Sequence, residues 1–82
     1  MKQIEKLRCP CCNFKTLDAE SSIFDICPIC YWENDNIQLA KPSYRGGAND
    51  INLDEARENY KNIGAISSEY LTYVRLPLEN EK

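Results

Sequence analysis

An α+β fold is predicted for this 82-residue chain by three observations: the unit Cys-Pro-x-Cys occurs twice, short β-prone runs flank both copies, and the C-terminal half carries a helical apolar period. A domain this small buries a limited fraction of its surface and usually needs a staple. The chain reads as one domain over 1–82, with a cysteine-bearing part at 8–40, a glycine-containing loop at 41–52, a helical part at 53–76 and a polar tail at 77–82. Apolar residues make up 43% of it, including five Tyr, two Phe and one Trp, which suffices for a modest core.

The staple lies in the cysteines. The clusters read Cys9-Pro10-Cys11-Cys12-Asn13 and Cys27-Pro28-Ile29-Cys30-Tyr31, so Cys11 falls where the second copy has Ile29. An odd number of cysteines in two tight clusters suits metal binding better than a disulfide framework. With no histidine in the chain, ligands come from Cys or carboxylates. Two thiolates separated by two residues can face one ion while the backbone between them turns and directs N–H groups at the sulfurs. Proline at the second position presets φ for that turn, and a residue tolerant of positive φ, such as Asn13, suits the position after the second cysteine. Two such knuckles make Cys9, Cys12, Cys27 and Cys30 a tetrahedral four-sulfur set with no open position, the mark of a structural site. Zn²⁺ is the expected ion, with iron the alternative that the same geometry accepts. The fold expected around it is that of zinc-ribbon or rubredoxin-like β-hairpins with two C-terminal helices.

The elements follow in order. A strand enters Cys9, and Phe14-Lys15-Thr16-Leu17 and Ser22-Ile23-Phe24-Asp25-Ile26 form a hairpin around a polar turn at 18–21. A further strand leaves Cys30 through Tyr31-Trp32-Glu33. Asn34-Asp35-Asn36 is a turn, and Ile37-Gln38-Leu39 is an edge strand before Pro42. After the loop, Asn52 with Glu55 makes a capping-box pattern, Asp54 and Glu55 suit a first helical turn, and Leu53, Ala56, Tyr60 and Ile63 recur at helical spacing until Gly64. A shorter helix is expected from Ser67 or Ser68 to Arg75, with Tyr70, Leu71 and Val74 on its apolar side and Pro77 beyond its end.

A formal charge of −3 offers phosphates no basic field. Filling a four-thiolate site takes that charge to about −5, which argues further against nucleic acid as a partner. The first eight residues lack the apolar core of a signal peptide, and no apolar stretch reaches membrane-spanning length, so the expected location is cytoplasmic with no membrane partner.

Other residues carry a functional reading and a plainer one. Cys11 is a candidate reactive thiol beside an electropositive centre, or a small buried residue equivalent to Ile29; the absence of a histidine base favours the second. Tyr31 and Trp32 are a partner-binding pair or, in the favoured reading, shield the thiolates from water. Tyr44, Arg45, Gly46, Gly47 and Asn49 form a candidate anion or partner site, with Gly46, Gly47 and Ala48 as backbone donors near a helix N-terminus. Against an anion there, Asp50, Asp54 and Glu55 crowd the region, and Arg45 is expected to pair with a nearby carboxylate. Glu33 and Asp35 are a formal acid–base pair, but turn carboxylates are usually solvated.

Four separated motifs carry a resemblance: Cys9-Pro10-Cys11-Cys12; Cys27-Pro28-Ile29-Cys30 followed by Tyr31-Trp32-Glu33-Asn34-Asp35; Tyr44-Arg45-Gly46-Gly47-Ala48-Asn49; and Leu53-Asp54-Glu55-Ala56-Arg57-Glu58-Asn59-Tyr60. Over residues 8 to 77 the chain resembles the bacterial cysteine-rich CPCC family, departing at Asn13, where Gly is usual, and at Asn34, where an acidic residue is usual. The resemblance implies a small zinc-binding domain and no particular activity; a bare hydrolase description carried by some members comes without a mechanism.

The leading functional expectation is a zinc-stabilised interaction module that presents the 44–49 loop and the face of the long helix to a protein partner, acidic enough to suit a basic one. Two alternatives belong to other classes: a hydrolase using Cys11 or an incompletely ligated zinc, and an iron-bearing electron carrier. Enzymatic activity is left open, with the balance against it. The oligomeric state is not legible in the sequence.

Overall fold

A computed structural model of the chain describes residues 6–18 and 25–82. Strand β1, Lys6–Arg8, pairs antiparallel with β2, Lys15–Asp18, in the register Lys6↔Asp18, Leu7↔Leu17 and Arg8↔Lys15, with an irregularity between Leu7 and Arg8. The strand expected to enter Cys9 is therefore present. The first Cys-Pro-x-Cys unit forms the turn between β1 and β2. The second copy sits in the same way between Ile26 and Glu33, which form an isolated antiparallel bridge. Of the hairpin expected over 14–26, its first strand is β2, while its turn and most of its second strand lie outside the described residues.

Helix α1 spans Asn36–Ala40, where an edge strand was expected at 37–39. Its cause is Asp35, an extended N-cap whose carboxylate accepts the amides of Ile37 and Gln38. The alternation Ile-Gln-Leu misleads because the buried member is Gln38, while Ile37 and Leu39 are 58% and 46% exposed. The Gln38 side chain spans the loop: Nε2 donates to the Tyr44 and Ile51 carbonyls, both at 3.0 Å, and Oε1 accepts from Asn49. An exposed strand has no place for a glutamine sealed this way.

Helix α2 spans Leu53–Ile63 with the predicted capping box between Asn52 and Glu55, and ends at Gly64 in the left-handed region at φ 88°. Its buried residues, Leu53 and Ala56, rest on the cysteine core. The helix expected from 67 or 68 to 75 is instead a single 3₁₀ turn at Ser68–Tyr70, followed by irregular chain. Ser67 offers no side-chain cap, and the β-branched Thr72 and Val74 weaken helical preference. Tertiary bonds decide the outcome: the Ile66 amide donates to the Cys30 carbonyl at 2.9 Å and the Arg75 amide to the Pro28 carbonyl at 3.1 Å, so the segment wraps the second knuckle. No helix among the described residues is long and apolar enough to cross a membrane.

Candidate metal centre

The two knuckles have the same backbone construction. In the first, the Cys9 amide donates to the Phe14 carbonyl and the Asn13 amide to the Cys9 carbonyl, both at 2.8 Å. In the second, Cys27 donates to Trp32 at 2.9 Å and Tyr31 to Cys27 at 2.8 Å, at identical sequence offsets. Each turn closes through a left-handed residue, Asn13 at φ 68° and Tyr31 at φ 73°. Asparagine tolerates that conformation; for tyrosine it is strained, at a cost of about 1–3 kcal/mol. Stacking of the Tyr31 ring on Tyr70, with centroids 4.5 Å apart, offsets part of that cost.

This construction brings the sulfurs of Cys9, Cys12, Cys27 and Cys30 within 4.8 Å of one another, all four buried. Two cross-knuckle separations, Cys9 to Cys30 and Cys12 to Cys27, are both 3.6 Å. A disulfide requires about 2.05 Å. A tetrahedron with metal–sulfur bonds of about 2.3 Å has edges of about 3.8 Å. The donor set and its spacing therefore fit a divalent ion at the centre, and the four cysteines can hold one.

Donors around the cluster favour thiolates. The Thr16 hydroxyl donates to Cys27 Sγ at 3.0 Å and the Trp32 amide to Cys30 Sγ at 3.4 Å. Hydrogen bonds from Cys12, Cys30, Cys9 and then Thr16 hold the Cys27 thiol well below its ordinary value. Those of Cys9, Cys12 and Cys30 are pushed up, chiefly by neighbouring sulfurs, with burial adding to the effect. Four sulfurs in one buried space cannot all be charged without a cation. Burial first, and then the charge of the nearby sulfurs, raises the Tyr60 phenol where α2 passes the cluster.

Trp32 is fully buried in the cysteine core, so it belongs to the shield and not to an exposed partner-binding pair; Tyr31 packs against that core and stacks on Tyr70 of the C-terminal segment. Cys11 is 9% exposed and packed in the same core as its register equivalent Ile29. The proline carbonyl of each knuckle is held from the helical half of the chain: Pro10 by Arg57 Nε at 2.8 Å and Pro28 by the Arg75 amide at 3.1 Å. Thr16 and Arg57 are contributors that the sequence did not disclose, since neither sits at a fixed offset of a knuckle.

The residues singled out at 44–49 divide between surface and interior. Arg45 pairs with Glu55 at 2.6 Å, as expected of a nearby carboxylate. The Ala48 amide donates to Asp35 Oδ2 at 2.9 Å, so one of the three backbone donors expected to face an anion serves an internal acceptor, and the neighbouring Asn49 amide likewise donates inward to Gln38 Oε1 at 3.2 Å. Asn49 is buried, and its side chain pairs with both backbone groups of Glu33, accepting the amide at 2.8 Å and donating to the carbonyl at 2.7 Å. It closes the open edge of the second knuckle as a strand would. Gly47 lies against the Gln38 and Asp35 side chains, while Gly46 lies beside the half-exposed Tyr44 ring. Asp35, engaged as a helix cap and on Ala48, is held below the usual carboxylate range and is not a solvated turn acid.

No curated protein matches the chain significantly. A family model described as cysteine-rich CPCC matches residues 7–81.

Proposed function

This chain belongs to the cysteine-rich CPCC family, and we propose that it is a Zn²⁺-stabilised interaction module that binds a protein partner without catalysing a reaction. The observation that carries the reading is the closure of the centre. All four sulfurs are buried and each faces the others, so an ion held there has its coordination filled by protein. When bound, such an ion acts as a cross-link between the two knuckles, and its binding free energy is folding free energy.

The rest of the chain supports a structural use of its polar groups. Asp35, Gln38 and Asn49 are consumed in holding the loop to α1 and to the second knuckle. Burial of Cys11 among core residues supports its role as packing and not as a nucleophile. Exposed apolar side chains occur in both halves of the chain, and those of the C-terminal half, including Ile63 and Leu71 at 44% and Leu76 at 86%, offer surface to a partner.

The test combines metal analysis with capture. The expected result is one zinc per chain in colourless protein, together with a specific partner cross-linked in the native host. Red protein with reversible redox cycling would assign iron and the electron-carrier reading. Hydrolytic turnover abolished by Cys11→Ser, with one zinc retained, would replace the module reading by an enzymatic one.

A further inference from the structure

Resting on the interaction-module reading, we propose that the cavity between the second knuckle and the segment following α2 receives an arginine side chain of the protein partner. The cavity measures about 160 Å³, and its lining includes Tyr31, Glu33, Asp50, Ile51, Glu69 and Tyr70. At ~30 Å³ per water this is room for about five waters. It is well below the roughly 300–1,000 Å³ of sites that enclose a drug-sized ligand. The end of one long side chain fills such a space.

The lining selects the chemistry of that side chain. Tyr31, Ile51 and Tyr70 give an apolar wall suited to methylenes, and the two stacked rings form an aromatic face at one side. Glu33, Asp50 and Glu69 put three acidic residues in the lining of the same cavity. Among the described residues the ion pairs engage Glu55, Asp54, Glu81 and Glu79, and none of these three. A cation entering this half-enclosed space meets concentrated negative potential. A guanidinium suits it better than an ammonium: it is planar, weakly hydrated, lies against aromatic rings and donates in a fork to carboxylates. The negative charge of the chain as a whole favours encounter with a basic surface.

The experiment titrates the zinc-loaded whole chain with the blocked peptide acetyl-Gly-Arg-Gly-amide, followed by amide NMR shifts. The lysine peptide and the peptide carrying citrulline, the neutral isostere of arginine, are run in parallel. Saturable shifts at Glu33, Asp50 and Tyr70 are expected, with affinity about five-fold or more lower for both other peptides and in the Asp50→Asn/Glu69→Gln variant. The variant's one bound zinc and otherwise unchanged spectrum verify its fold.

Absence of saturable shifts around the cavity, equal binding of the citrulline peptide, or unchanged affinity in the variant would overturn the proposal. Equal binding of the lysine peptide would overturn its guanidinium selectivity. The module reading fails separately. A host partner that cross-links equally to wild type and variant leaves that reading standing and removes the cavity from it.

Discussion

Asp35 Oδ2 accepts the amide of Ala48 at 2.9 Å while its Oδ1 accepts those of Ile37 and Gln38 at 2.7 and 3.2 Å. One carboxylate thus starts α1 and fixes the glycine loop to it. Replacing Asp35 by Ala removes a helix cap and strands the Ala48 amide, for a combined loss of about 2–4 kcal/mol in denaturant unfolding of the zinc-loaded protein.

The charge of Asp35 makes a separable contribution. The Ala48 amide, with those of Gln38 and Ile37, outweighs burial and holds the folded carboxyl below its usual value. A depressed folded value means stability that is fully present above the unfolded value of about 3.9 and lost as pH falls through the folded one. Asn at this position still caps but cannot ionise. The stability difference between wild type and Asp35→Asn should therefore hold steady from neutral pH to about pH 5 and shrink below about pH 4. A difference that grows on acidification would contradict this. Loss of metal at low pH affects both proteins, so the comparison isolates the carboxylate.

The adjacent glycines should respond oppositely to a methyl group. At Gly47 a Cβ would lie 2.6 Å from Gln38 Cγ and 2.8 Å from Asp35 Oδ2, inside a buried, fully bonded network. At Gly46 it would meet the end of the Tyr44 ring, which is 42% exposed and free to swing. Gly47→Ala should cost about 1–3 kcal/mol and Gly46→Ala under about 1 kcal/mol. Thermal unfolding of the two variants side by side checks the contrast.

What was legible in the sequence was local. The capping box at Asn52 and Glu55, the stop at Gly64 and the two matched knuckles each depend on residues within a few positions of one another, and each appears where expected. What was not legible depends on distant partners. Gln38 is buried because it bridges to Tyr44, Asn49 and Ile51, and that inverts the polarity from which an edge strand was inferred. Likewise the 67–75 segment has apolar residues at helical spacing, yet Tyr70 leaves that pattern to stack on Tyr31 and Arg75 to hold Pro28. Asn49, grouped with the loop as a contact residue, is an internal strand substitute for Glu33. No local pattern announces such a role.

The metal should decide whether the chain folds. Structural zinc in small domains supplies apparent free energies of about 10–16 kcal/mol, as large as the whole stability of a typical domain, about 5–15 kcal/mol. Chelation should therefore unfold the protein, seen as loss of helical circular dichroism that returns with added Zn²⁺. Single Ser replacements of Cys9, Cys12, Cys27 or Cys30 should abolish stoichiometric binding, whereas Cys11→Ser should retain one zinc. A metal-free chain that keeps its native spectrum would refute the dependence.

The two left-handed closures give a paired test of how the knuckles are built. Asn13 holds φ 68° with its backbone amide on Cys9 and its carbonyl accepting from Arg8 Nη1 at 2.7 Å. These are backbone contacts that survive truncation of the side chain. Asn13→Ala keeps the Cβ but loses the short polar side chain that eases asparagine into the left-handed region, so it should cost about 1 kcal/mol, while Asn13→Gly should be close to neutral. At Tyr31 the same glycine substitution relieves strain but removes the ring stacked on Tyr70, a contact worth about 0.5–1.5 kcal/mol beyond its buried area. Tyr31→Gly should be net destabilising where Asn13→Gly is not. Tyr70→Ala should leave Tyr31 strained and unsupported, and the benefit of Gly at 31 should then emerge in that background. Equal responses at the two positions, measured by zinc-loaded unfolding, would mean that the aromatic stack contributes nothing to closing the second knuckle.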